Sequence, residues 1–258
     1  MKKILLFLSV ILILSGCDKE TDSVFTINTT PKNLYAGDSL QLDVSSTNDV
    51  SYSVENEYYA SVSDKGLIKA RKVGTTIVNV SSGEEIIPFS ITVKAKEYLY
   101  KDPQLDWDMN SSEVISALGL TKDDVKFTGN NFAIKDYSFN AYLAMFLFDD
   151  TTNKLISYMI CVDSYKLKQA LVFLQERYYF IDYNSDGAYF IDTLPNDIKT
   201  CTKCISVISE LKHYNNKYIF QILYFKIGNK TKSFIPEKNT DKTSYEKLYN
   251  QLINKLNK

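Results

Sequence analysis

Few side chains in this 258-residue sequence are suited to nucleophilic, redox or metal chemistry: Cys17, Cys161, Cys201, Cys204 and the single histidine, His213. Cys201 and Cys204 form a Cys-x-x-Cys pair, which does redox work when it opens a helix after a strand. Here the β-branched stretch ISVISEL comes next, which reads as strand. Positions three apart on an extended strand face opposite ways and lie about 10 Å apart, beyond disulfide reach. Either a turn holds both thiols, or one of them pairs with Cys161. With Cys17 set aside three thiols remain, so at least one is free or pairs with another chain. Cys161, Cys201 and Cys204 are candidates for a disulfide or free thiols, and a local or cross-strand disulfide is the expectation for a chain in an oxidising compartment. A zinc site would need Cys161, Cys201, Cys204 and His213 to converge without a second spaced pair, so no metal is expected. His213 would have to serve any Ser-His-Asp or Cys-His mechanism, yet no Gly-x-Ser-x-Gly elbow accompanies it. It reads as an edge-strand residue. The thirty-one carboxylates leave a glycosidase pair open by inventory, but nothing marks any two of them. Asp149 and Asp150 read as hairpin-turn residues, since the Asp-x-Asp-x-Asp-Gly calcium loop is missing. No catalytic residue and no cofactor are assigned.

Composition excludes more than it selects. Hydrophobic residues at 45% and charged residues at 24% suit a folded chain with room for two small domains. The net charge of -1 hides an asymmetry, for the segment from Lys199 onward holds twelve lysines against four acidic residues. These lysines alternate with Asn and Thr, as on solvated strand faces and a polar tail. Only Arg71 and Arg177 are arginines, so bidentate phosphate recognition has little to work with and no nucleic-acid partner is expected.

Cys17 stands apart from the other thiols because of the residues that precede it. Lys2 and Lys3 lead into an apolar run over residues 4–14, too short to span a bilayer and the right length for a secretory signal. The run ends in Leu14-Ser15-Gly16-Cys17, which resembles the bacterial lipobox. That resemblance implies cleavage before Cys17, diacylation of its thiol, and a membrane anchor through the N-terminal lipid. Each buried methylene contributes roughly 0.8 kcal/mol, so two or three acyl chains hold durably where one does not. Residues 18–22, DKETD, read as a polar tether and resemble the export signals of Bacteroidota surface lipoproteins. Outer-membrane attachment with surface exposure is the implied address.

From about residue 23 to 95 the apolar residues alternate with period two between closely spaced turns. About seven short strands and no helix argue for a β-sandwich. Gly66 and Gly74 fall where tight turns call for positive φ. Within this stretch Ala60-x-Val62, Gly66-Leu67-Ile68-Lys69-Ala70 and Gly74-Thr75-Thr76-Ile77-Val78-Asn79-Val80 occur in order. Together they resemble the group 2 bacterial immunoglobulin-like domain, which implies a spacer or adhesive sandwich and carries over no catalytic residue. Ala60, Val62, Ile68 and Ala70 are core positions by alternation.

Residues 96–235 change character. Asn110 or Ser111 can cap a helix, Glu113 can fold back on the cap, and Gly119 can end it. Aromatic strands come next, then a second helix over SYKLKQALVFLQERY and four more strands, so a duplicated helix-plus-meander unit is one reading. The expected class is all-β immunoglobulin-like sandwich followed by an α+β domain, an antiparallel sheet with helices on one face. SSEVISALG and its meander resemble outer-membrane-assembly lipoproteins and β-lactamase-inhibitor-like folds, and the immunoglobulin-like domain followed by YKDPQLDW resembles lipoproteins recurrent in gut Bacteroidota. Nineteen tyrosines could line a glycan or protein surface; Tyr137, Tyr142, Tyr158 and Tyr224 are the candidate aromatic face. Residues 236–258 read as a basic linker and an amphipathic helix with Tyr245, Leu248, Leu252 and Leu256 on one stripe.

The organisation expected is signal peptide 1–16, tether 17–22, sandwich 23–95, α+β domain 96–235 and tail 236–258. The function expected is a non-enzymatic, lipid-anchored envelope protein that presents a binding module to a protein or glycan. The alternatives are an assembly or inhibitor-like docking lipoprotein and a hydrolase of polysaccharide or peptide.

Overall fold

The computed structural model describes residues 24–227 apart from 32, 104, 184–186 and 215–216. Leu14, Ser15, Gly16 and Cys17, the tether, and the amphipathic stretch of the tail lie outside the described residues. The described residues are mostly strand, arranged in four sheets.

Nine strands make up the first half: β1 (Phe25–Ile27), β2 (Asn33–Tyr35), β3 (Ser39–Gln41), β4 (Val44–Ser46), β5 (Val50–Val54), β6 (Ala60–Val62), β7 (Leu67–Ala70), β8 (Gly74–Ser82) and β9 (Glu85–Lys94). A four-stranded sheet runs β2-β9-β8-β5 and a three-stranded sheet runs β3-β7-β6, with β1 and β4 paired as a separate ribbon. The alternation in β8 and β9 explains the layering. Val78, Val80, Phe89, Ile91 and Val93 point one way and meet Leu40, Ala60, Ile68 and Ala70 of the facing sheet in one core. Val62 packs half-buried at the edge of that core. Gly66 and Gly74 both have positive φ, 74° and 150°. At Gly74 a Cβ would sit 2.2 Å from the Tyr59 ring, so glycine is required by space as well as by backbone.

The chain then enters the second core without a free spacer. Leu99, Tyr100 and Trp107 are buried there before the first helix begins. That helix, α1 (Ser111–Ala117), is capped by Asn110, whose side chain accepts from the Ser112 and Glu113 amides while Glu113 accepts from the Asn110 amide. Gly119, at φ 73°, ends it. The strands β10 (Lys126–Thr128), β11 (Asn131–Ser138), β12 (Ala141–Phe148) and β13 (Leu155–Asp163) form a meander. The β12–β13 turn is built on Asp149, whose Oδ1 accepts from the Thr151 and Thr152 amides, with Asn153 at φ 53°. A second helix, α2 (Leu167–Arg177), precedes β14 (Tyr179–Tyr183), β15 (Gly187–Ile191), β16 (Lys203–Tyr214) and β17 (Lys217–Lys226).

Helix plus four strands therefore occurs twice. The two meanders join edge to edge through antiparallel pairing of β13 with β17, giving the sheet order β10-β11-β12-β13-β17-β16-β15-β14. Register builds one face from rows of matched residues. One row runs Phe132, Phe146, Tyr158, Tyr224, Ile205, Phe190, and the next runs Ile134, Ala144, Ile160, Ile222, Val207, Ala188. Val114 and Ile115 of α1 and Leu167, Ala170, Leu171, Phe173 and Leu174 of α2 share the core of that same face.

This register corrects the candidate aromatic face. Tyr158 and Tyr224 are fully buried under the helices, stacked with ring centroids 4.4 Å apart, and the Tyr224 hydroxyl bonds that of Tyr100. Tyr137 is half-buried and donates to the Lys101 carbonyl, while Tyr142 donates to Asp163. The four tyrosines share no exposed surface, because the strands use tyrosine as core filler as readily as they use phenylalanine.

Candidate functional site

Helix α2 ends where the two halves of the chain meet. The last turn of a helix leaves carbonyls without intrahelical donors and carries the negative end of its dipole. Three donors from the first half satisfy them. Lys72 Nζ donates to the Gln175 carbonyl at 2.5 Å, the Val73 amide to that of Glu176 at 2.7 Å, and the Tyr58 hydroxyl to that of Arg177 at 2.5 Å. The buried Glu176 carboxylate accepts the Lys96 and Glu97 amides at 2.9 and 3.0 Å, fixing the chain as it leaves β9. Lys72 also lies 4.4 Å over the Tyr179 ring, and Tyr58 meets that ring edge-on at 5.3 Å. Burial pulls the Lys72 amine down to about 8, with Glu176 opposing the shift. Tyr58 is pushed well above its usual range by burial and by Asp192, so it stays a donor.

A cleft of about 700 Å³ opens beside this clamp, lined by Tyr58 and Tyr59 on one side and by Asp102, Arg177, Tyr178 and Lys203 on the other. That volume is within the range of small-molecule sites. Asp102 Oδ2 accepts the Tyr178 hydroxyl at 2.8 Å, while its Oδ1 is sealed from solvent without a partner among the described residues. Burial raises the Asp102 carboxyl, against the pull of Lys203, Tyr178 and Arg177. Arg177 stacks on the Phe173 ring at 3.7 Å and donates to the Phe173 carbonyl, which fixes its guanidinium at the rim. Lys203 Nζ stands 5.7 Å from the Tyr178 ring centroid.

The turn that carries Lys203 is ordered by Asp192. Its Oδ1 accepts the Thr202 and Lys203 amides, both at 3.0 Å, and the Cys201 thiol at 3.2 Å. A smaller hollow of about 410 Å³, lined by Glu57, Arg71, Lys72 and Tyr179, lies across the Leu194 lip. Both arginines of the sequence thus border the junction. Cations, carboxylates, hydroxyls and phenol rings in one cleft suit hydrogen bonding and stacking with a polar ligand.

The residues singled out from sequence are placed elsewhere. Cys161, Cys201 and Cys204 are free, buried thiols, which corrects the expected disulfide. Cys161 faces away from the helices on β13, opposite Gln221. Cys201 precedes β16 in a turn and joins Cys204 in a small apolar cluster with Ile181, Ile191 and Ile227. They pack as small hydrophobes, and burial raises the Cys161 thiol to about 11 and Cys204 to about 12. His213 falls in β16, paired in register with Tyr218. Among the described residues no group of three or more His, Cys, Asp or Glu could hold a metal ion. Asp102, Lys203 and Tyr58 were not legible as a set. The available signal was that the sequence has only two arginines, and both sit here.

No protein-family model and no curated protein matches this sequence. Solved structures with distant likeness are β-rich. Domains 4 and 5 of the S-layer protein SbsC are 14% identical over 27% of this chain and 50% of that one, with a TM-score of 0.25. SbsC domains 5–6 are 11% identical over 81% of this chain and 87% of that one, TM-score 0.26. Human protocadherin-24 EC1-2 is 10% identical over 80% of this chain and 96% of that one, TM-score 0.24. The chain spans about half the length of the SbsC domain 4–5 structure. At these scores the likenesses assign neither topology nor function.

Proposed function

We propose that this is a non-enzymatic, lipid-anchored protein of the bacterial outer membrane, in which an immunoglobulin-like module carries an α+β module that binds a glycan or protein ligand. The observation that supports this most is the clamp on the end of α2 with the cleft beside it. A mere spacer needs no polar cleft lined from both halves, and three donors from the first half on one helix end hold the cleft walls in register. The lipobox ending in Cys17 supplies the anchor. The cleft chemistry favours a hydroxyl-rich or charged ligand, which meets the half-buried Tyr58 and Tyr59 on one wall and Arg177 and Lys203 on the other. A second reading is docking onto another envelope protein, with the twofold helix-plus-four-strand sheet as the docking module.

The test uses the soluble chain beginning at Asp18 on a glycan array and in pull-downs from envelope extracts. A binder retained by the wild type and lost, at least about tenfold, by Asp102→Asn with Lys203→Met supports the cleft reading. A binder unaffected by that pair favours docking elsewhere, and no binder in either format overturns both.

A further inference from the structure

The sheet face opposite the helices is more apolar than an open antiparallel face should be. Such faces normally turn polar side chains to water. Here Leu143, Met145 and Leu147 of β12, Met159 of β13, and Leu223 and Phe225 of β17 stand half-buried on adjacent central strands. Both described helices lie in the core of the other face. One end of the apolar face is closed by Ile198 and Cys201 over Ile191 and Cys204. Ile227, the last described residue, is buried in that same cluster, and its amide donates to the Thr202 carbonyl at 3.0 Å. The chain therefore leaves a central strand already committed to this side of the sheet.

The sequence C-terminal to Ile227 has the pattern and the length to cover this face. Residues 244–258, SYEKLYNQLINKLNK, set Tyr245, Leu248, Leu252 and Leu256, with Tyr249 and Ile253, at helical spacing, and put lysines and asparagines between them. Fifteen residues as a helix span roughly 22 Å, enough to cross four or five strands. The sixteen residues 228–243 reach up to about 50 Å, so no position on the face is out of range.

We propose that residues 244–258 dock as an amphipathic helix across this face, which neither described helix covers, over Met145, Met159 and Leu223. This is independent of the lipid anchor and of the cleft ligand. Hydrogen exchange on the monomeric soluble chain from Asp18 tests it. The expected result is protection of amides 244–258 by at least about tenfold over the isolated peptide. That protection should be lost in both Leu248→Asp/Leu252→Asp and Met159→Asp, while α2 stays protected in each, which shows the remaining fold intact. Exchange of 244–258 at the peptide rate in the wild type overturns the proposal. Protection that appears only with concentration and a dimeric mass overturns it too, in favour of a second copy on the face.

Discussion

Lys72 shows how single residues set the junction. Its amine is buried against the end of α2, where the helix dipole and the Gln175 carbonyl favour its charge, yet the loss of water outweighs them and its folded pKa falls to about 8 from 10.5. Between those values the unfolded chain binds more protons than the folded one, so the Lys72 contribution to stability rises as pH rises from 8 toward 10.5. The stability of the wild type relative to Lys72→Met should therefore increase across that window, on the order of 1–3 kcal/mol, in chemical denaturation at stepped pH. A difference that is flat or falls with pH would mean that the amine is solvated. Asp102 works in the opposite sense. It keeps one oxygen on Tyr178 and one sealed from solvent without a partner among the described residues, and burial raises its carboxyl, so the neutral form is favoured.

At the scale of elements, local signals are legible in the sequence and contacts between distant segments are not. The α1 cap is visible because Asn110 and Glu113 sit three apart before an apolar stripe, and both halves of the capping box form. Asn110→Ala should cost about 1 kcal/mol in thermal or denaturant unfolding, and an unchanged midpoint would deny the cap any energetic role. Gly66 and Gly74 are legible as positive-φ turns for the same local reason. The aromatic face failed because period two says which residues share a side but not which side the helices take. Tyr158 and Tyr224 are on the covered one. The disulfide failed because Cys201, in the turn before β16, donates its thiol to Asp192 Oδ1 instead of pairing, while Cys161 and Cys204 are free and buried. The cleft was illegible for a plainer reason: Tyr58 and Arg177 are 119 positions apart.

Across the described residues, two apolar cores, one sandwiched between small sheets and one under two helices, meet at the end of α2 and at Tyr179 just beyond it. The three carbonyls at that end find donors only while both halves are folded. Losing either half exchanges these three hydrogen bonds for bonds to water, a net loss of roughly 0.5–1.5 kcal/mol each, and exposes the apolar contacts around them. The halves should therefore unfold together, and the cleft between them should exist only as long as they do. Calorimetry of the soluble chain from Asp18, alone and with Tyr58→Phe/Lys72→Met, tests this most directly. A single transition in the wild type that separates into two in the variant is the predicted result. Two transitions in the wild type, at temperatures the substitutions leave unmoved, would contradict it.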